Sequence, residues 1–124
     1  MKPKRLLLAE DDTMLASLLK YRLEKDGYVV AVKHDGHQMK TAITQQLPDA
    51  IISDVMMPYF SGIELVDYLR NDLKTDIPII LISAASNEEN VVSALKLGAN
   101  DFIAKPVSPT ELLIRVAREL NRYY

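Results

Sequence analysis

Five times in 124 residues a short apolar run is followed by apolar residues at helical spacing, and this alternation constrains the fold more than any other feature of the chain. Leu6-Leu7-Leu8-Ala9 precedes Leu15, Leu18, Leu19 and Leu23, a stripe closed by Gly27. Residues 28–32 precede Met39, Ala42, Ile43 and Leu47, and Pro48 stops that helix. Residues 50–53 precede Ile63, Val66 and Leu69, and residues 79–82 precede Val91, Val92 and Leu95. The fifth strand, residues 102–104, leads to Ser108, Pro109 and Glu111, a capping box with proline at the first helical position, ahead of Leu112, Val116 and Leu120. Strands that read as continuous apolar runs, each followed by a helix, predict an α/β fold: a doubly wound five-stranded parallel sheet with helices on both faces. No linker, repeat or low-complexity stretch interrupts the pattern, so residues 1–124 are expected to form one domain.

Composition narrows the functional classes. About half the residues are apolar and a quarter charged, as in an ordinary globular protein. There is no cysteine, which excludes disulfides and thiolate metal sites. The longest nearly apolar stretch, residues 77–85, contains Pro78 and Ser83 and is far shorter than the roughly 20 residues of a membrane-spanning helix. Only four apolar residues separate the basic start from the first acids, too few for a signal-peptide core. A cytoplasmic protein without membrane contact is the expectation. With a net charge of −2 and scattered Lys and Arg, the domain is not expected to bind nucleic acid directly.

In doubly wound sheets ligands sit beyond the carboxyl ends of the strands, at the point where strand order reverses. Here strand one ends in Glu10-Asp11, strand three in Asp54, strand four in Ser83-Ala84 and strand five in Lys105-Pro106. Strand two ends in nothing comparable, and an order of 2-1-3-4-5 puts it at the margin. Carboxylates gathered at one edge repel each other unless a cation joins them. Oxygen ligands without nearby His or Cys suit a hard ion, and a site with few carboxylates suits Mg²⁺ better than Ca²⁺ with its roughly six to eight oxygens. Lys105 and Ser83 add a positive charge and a hydroxyl of the kind that stabilises a transferring phosphoryl group, leaving Asp54 as the candidate nucleophile. Simpler roles compete for each residue taken alone. Asp12 is better read as a helix cap, Asp54 as a turn former before Pro58 and Gly62, and Lys105 or Ser83 as solvated surface. His34 and His37 follow strand two, away from the other strand ends, and read as surface residues.

Glu10-Asp11 after an apolar strand, "SDVMMPYFSG" at residues 53–62, "ILISA" containing Ser83, and "GANDFIAKP" at residues 98–106 resemble the receiver domain of two-component response regulators over the whole chain. The resemblance implies the flavodoxin-like order 2-1-3-4-5. It implies Asp54 as phosphoacceptor; Asp11, Asp54 and the Met56 carbonyl as Mg²⁺ ligands; and Glu10 reaching the metal through water. It further implies Lys105, Ser83 and Ala84 as phosphate-binding residues, Ser83 and Phe102 as the switch pair, and a cis peptide between Lys105 and Pro106. The implied donor is a sensor histidine kinase or phosphotransfer protein, and the implied switched surface is helix four, strand five and helix five, acting on an output partner or effector domain of unspecified kind. Such a domain is not an enzyme in the ordinary sense, since it takes part only in its own phosphorylation and dephosphorylation. Two alternatives are a pseudo-receiver acting as an interaction module, against which the complete acceptor set argues, and a haloacid-dehalogenase-like phosphatase, which needs an acid where Met56 stands.

Three departures from the family pattern carry expectations. Ser83 stands where Thr is more usual and Phe102 where Tyr is frequent, so switch coupling rests on packing. Met56 and Ala85 flank the path of the water that attacks the acyl phosphate, and neither can position it by hydrogen bonding, which predicts slow self-dephosphorylation. Of the three ion pairs that recur in dimers of this family, Asp101 with Arg115 is retained. Val91 and Asn100 replace charged residues and leave Glu111 and Arg122 without their partners. A monomer or weak dimer is expected.

Overall fold

The computed structural model describes residues 2–84 and 88–121. Strands β1 (Arg5–Ala9), β2 (Val29–Lys33), β3 (Ala50–Asp54), β4 (Ile79–Ser83) and β5 (Asp101–Ala104) alternate with helices α1 (Thr13–Lys25), α2 (Gly36–Gln45), α3 (Gly62–Asp67), α4 (Glu88–Leu97) and α5 (Pro109–Asn121). All neighbouring strands are parallel, in the expected order β2-β1-β3-β4-β5. Register places Leu8, Ile52 and Ile80 abreast, and the two-residue period of a strand then sorts the core into two layers. Leu6, Leu8, Ile52 and Ile80 pack with Leu19 and Leu23 of α1 and Leu112 and Val116 of α5. Leu7, Ile51, Ile79 and Leu81 pack with Met39 and Ile43 of α2, Leu65 and Val66 of α3 and Ala94 of α4. A fully buried Leu or Ile contributes roughly 1.5–3 kcal/mol by leaving water, so this register is strongly specified.

Several apolar residues of the helical stripes lie outside the core. Leu18 is 49% exposed while Ala16 takes the buried position, and α2 ends at Gln45, leaving Leu47 exposed beyond it. On α4 Val91 and Ala94 are buried, whereas Val92 and Leu95 face outward. These exposures arise because periodicity marks an apolar face without marking its centre. Helix caps follow local chemistry. Asp12 Oδ1 accepts from Met14 N at 3.0 Å and Leu15 N at 3.1 Å, as the capping reading expects. Ser61 and Glu64 form a complete capping box on α3 that the sequence reading overlooked, although S-x-x-E before an apolar run is its usual signature. At α5 only half of the expected box forms: Ser108 Oγ accepts from Glu111 N at 3.3 Å, while the Glu111 carboxylate accepts from Arg115.

Gly62 sets how closely α3 approaches the end of β3. Its N–H donates to Val55 O at 2.9 Å, and a Cβ there would lie 2.8 Å from the Asp54 carbonyl oxygen and 2.9 Å from Val55 Cα. Both are backbone atoms that cannot rotate away. Gly62→Ala is expected to cost about 1–3 kcal/mol, read as a lower urea midpoint at unchanged slope. An unchanged midpoint would show that the turn adapts.

Candidate functional site

Among the described residues only five polar or charged side chains are buried, and three of them, Glu10, Asp54 and Ser83, stand at the carboxyl edge of the sheet. The topology explains the gathering: β1, β3 and β4 are adjacent, and each ends by releasing one polar residue into the same crevice. Asp54 is the last residue of β3, and its carboxylate has two distinct partners. Oδ1 accepts from Met56 N at 3.0 Å, and Oδ2 lies 2.5 Å from the Lys105 ammonium at the end of β5. The same Lys105 Nζ is 3.4 Å from Glu10 Oε1. That oxygen accepts no hydrogen bond and is the only buried side-chain nitrogen or oxygen without one among the described residues, while Oε2 accepts from Asp12 N at 3.1 Å. The Lys105–Pro106 peptide is cis.

The electrostatics are those of an acidic cluster short of positive charge. Burial pushes the Glu10 carboxyl up to about 7; the Asp12 N–H opposes this, the negative charge of Asp54 adds to it, and Lys105 offsets part. For Lys105 burial acts to lower the pKa, but the hydrogen bond and charge of Asp54, with Glu10, outweigh it and hold the ammonium above its usual value. One oxygen from each of Glu10, Asp11 and Asp54 lies within 4.8 Å of the others, with Asp11 on the exposed side. An orphaned buried carboxylate oxygen, converging oxygen donors and no nitrogen or sulfur ligand suit a hard divalent cation such as Mg²⁺.

Ser83 is buried at the end of β4, and its hydroxyl donates to the Ala84 carbonyl at 3.1 Å. Phe102 is 38% exposed. Both border an apolar cavity of about 360 Å³ between α4 and β5, with Ala84, Val91 and Leu95. Met56 lies beside Asp54 with its side chain exposed, and Ala85 lies outside the described residues. A cleft of about 400 Å³ at the opposite edge of the sheet, by Lys4, Asp49 and Glu119, contains none of the predicted site residues. His34 and His37 are both exposed.

On the face of α4, β5 and α5 the charges pair within the chain. Arg115 donates to Asp101 at 2.7 Å and to Glu111 at 2.8 Å, and Arg118 donates to Asp101 at 2.9 Å. Glu111 therefore has a partner one helical turn away, contrary to the expectation that it stands alone. Val91 is buried, so the apolar surface there belongs to Val92 and Leu95. Asn100 points inward, and Arg122 lies outside the described residues.

Comparison with known proteins agrees with this geometry. Residues 6–117 match the family model described as the response regulator receiver domain. The chain is 36% identical over 121 residues to the response regulator GtcR of Aneurinibacillus migulanus, covering 98% of this chain and 49% of that protein. It is 38% identical over 119 residues to the DNA-binding response regulator MtrA of Mycobacterium tuberculosis, covering 96% of this chain and 51% of that one. The chain thus spans about half the length of the curated relatives it matches. Among solved structures, the receiver domain of a Francisella response regulator superposes with a TM-score of 0.89 at 36% identity over 98% of this chain and 99% of that one. A receiver domain protein from Methanospirillum hungatei gives 0.90 at 28% identity, covering 97% and 95%. With the strand order, the acidic edge and these likenesses in agreement, the chain belongs to the response regulator receiver domain family.

Proposed function

We propose that residues 1–124 act as one phosphoacceptor domain, taking a phosphoryl group onto Asp54 from a phosphohistidine of a sensor kinase or phosphotransfer protein. The single observation that carries this reading is the Lys105 ammonium 2.5 Å from Asp54 Oδ2 inside a buried acidic cluster. An Asp54 carboxylate oxygen attacks phosphorus, the P–N bond breaks, and its electron pair leaves with the donor imidazole. Lys105, already beside that carboxylate, is in reach of the incoming phosphoryl oxygens and stabilises their charge. Ser83, whose hydroxyl donates to the neighbouring Ala84 carbonyl, can turn toward the same group together with the Ala84 backbone. Phe102 shares the cavity beside Ser83 and completes the switch pair.

Glu10, Asp11 and Asp54, with the Met56 carbonyl, would hold Mg²⁺. When bound, the ion supplies charge neutralisation for the carboxylates and the phosphoryl oxygens. Binding to the folded state alone stabilises it by mass action, about 2.7 kcal/mol at a hundredfold excess over Kd. Mg²⁺ is therefore expected to raise Tm by several degrees, and Asp11→Ala to blunt the rise. Equal shifts in the two proteins would place the ion elsewhere.

The proposed output surface is α4, β5 and α5. Arg115 and Arg118 are engaged within the chain by Asp101 and Glu111, so a dimer built on cross-chain pairs gains little from them. Exposed pairs contribute roughly 0.2–1 kcal/mol each. A monomer or weak dimer is expected by light scattering at micromolar concentration after activation with beryllofluoride, which stands in for the phosphoryl group on a carboxylate. A stable dimer on this face would mean that Val92 and Leu95 supply the association.

A further inference from the structure

The Arg70 guanidinium donates to four acceptors in two separate segments, residues 75–77 and 98–100, and nothing in the phosphoacceptor chemistry uses it. Its placement follows from a π-helical turn, Tyr68–Asp72, that continues α3, with Leu73 N bonding Tyr68 O at 2.9 Å. From that turn Nε donates to Gly98 O at 3.1 Å, one terminal nitrogen to Thr75 O at 2.7 Å, and the other to Ile77 O and Asn100 Oδ1, both at 2.9 Å. Asn100 extends the connection. Its Oδ1 also accepts from Ile79 N at 2.9 Å, and its own N–H donates to Ile79 O at 3.0 Å, so the turn after α4 is bonded to the first residue of β4 in both directions. Gly98, at φ +120°, ends α4 and makes room for the arginine stem: a Cβ there would lie 3.0 Å from Arg70 Cγ.

Among the described residues, the two ends of α4 are thus held differently. The carboxyl end is fastened by a cation bonded to two acceptors of the following turn, each charge-assisted and stronger than a neutral bond. The amino end, beginning at Glu88, borders the cavity of about 360 Å³ shared with Ser83 and Phe102. We propose that Arg70 is a positioning residue that makes residues 98–100 a fixed pivot for α4. Occupancy of Asp54, sensed at Ser83, then displaces the Glu88 end and the Phe102 rim while the Leu97 end stays in place. The inference rests on the phosphoacceptor reading for what drives the motion, but the clamp itself does not.

Two measurements on the 124-residue chain decide it. The first is amide hydrogen exchange of the resting protein, comparing wild type with Arg70→Met, which keeps the stem and loses the donors, and Arg70→Lys, which restores one charged donor. Exchange at Gly98, Asn100 and Ile79 is expected to quicken about tenfold or more in Arg70→Met relative to the β1 amides, with partial recovery in Arg70→Lys. Acceleration spread evenly over the core would overturn the clamp. The second follows amide chemical shifts on adding Mg²⁺ and beryllofluoride. In wild type the changes should reach residues 88–92 and 102 but spare 98–100, and in Arg70→Met they should extend through 98–100. Changes at 98–100 in wild type as large as those at 88–92 overturn the pivot. If Asp54 does not respond at all, the phosphoacceptor reading fails on its own and the exchange comparison still decides the clamp.

Discussion

Asp54→Asn is expected to fold and to gain no mass from a small phosphodonor with Mg²⁺, whereas the wild-type chain is expected to gain one phosphoryl group. The loss should be complete because the substitution removes the buried carboxylate that contacts both the Lys105 ammonium and the Met56 N–H. The amide keeps the size of the side chain and an oxygen in place of Oδ1, so the Met56 contact and the packing at 4% exposure are retained. Its nitrogen cannot accept the bond that Oδ2 accepts from Lys105, and an amide is not the nucleophile that a carboxylate is. Intact mass and a urea melt on the same sample separate the two effects. A full adduct on the variant would place the acceptor elsewhere, and an unfolded variant would be visible in the melt.

Folding stability without metal should fall as pH rises between about 4.5 and 7, through Glu10. Burial raises its folded pKa to about 7 from the model-peptide 4.5. Below the lower value both states hold the proton and the full contribution is present. Between the two, the unfolded chain releases its proton while the folded chain keeps it, so folding loses ground with each step upward until the folded carboxyl also ionises. At about 1.36 kcal/mol per unit the loss is at most about 3 kcal/mol. Glu10→Gln removes the titration while keeping the shape. With a chelator present, its stability relative to wild type should rise by about 2–3 kcal/mol from pH 5 to pH 8 in urea unfolding. Added Mg²⁺ should stabilise wild type more at pH 8 than at pH 5, because a metal ligand must be deprotonated. Parallel curves for the two proteins would mean that Glu10 titrates like a solvated carboxylate.

The site was legible in the sequence to the extent that strand ends were. Glu10, Asp11, Asp54, Ser83 and Lys105 each stand within two residues of the end of an apolar run, and in a parallel sheet the carboxyl ends of all strands share one edge, so local pattern was enough to bring them together. Asp12 as a cap was readable for the same local reason. The Ser61–Glu64 box was equally local and simply passed over. Arg70 had no local signal. Its acceptors lie 5, 7, 28 and 30 residues away, and a π-helical turn aims it.

What the sequence by itself determined is the alternation of elements, their caps and the chemical types at each strand end, because hydrogen-bond period and side-chain chemistry act within a few residues of the chain. Tertiary structure alone decided that Leu18, Val92 and Leu95 stay exposed, since the centre of a helix's apolar face depends on which layer covers it. It decided that Arg118 joins Arg115 on the Asp101 carboxylate, a choice among acceptors that only proximity resolves. It also decided how strongly Glu10 resists ionisation. That depends on complete burial, on a lone oxygen facing Lys105 at 3.4 Å and on a second carboxylate from a neighbouring strand, quantities set by distances across the sheet and not by the order of residues along it.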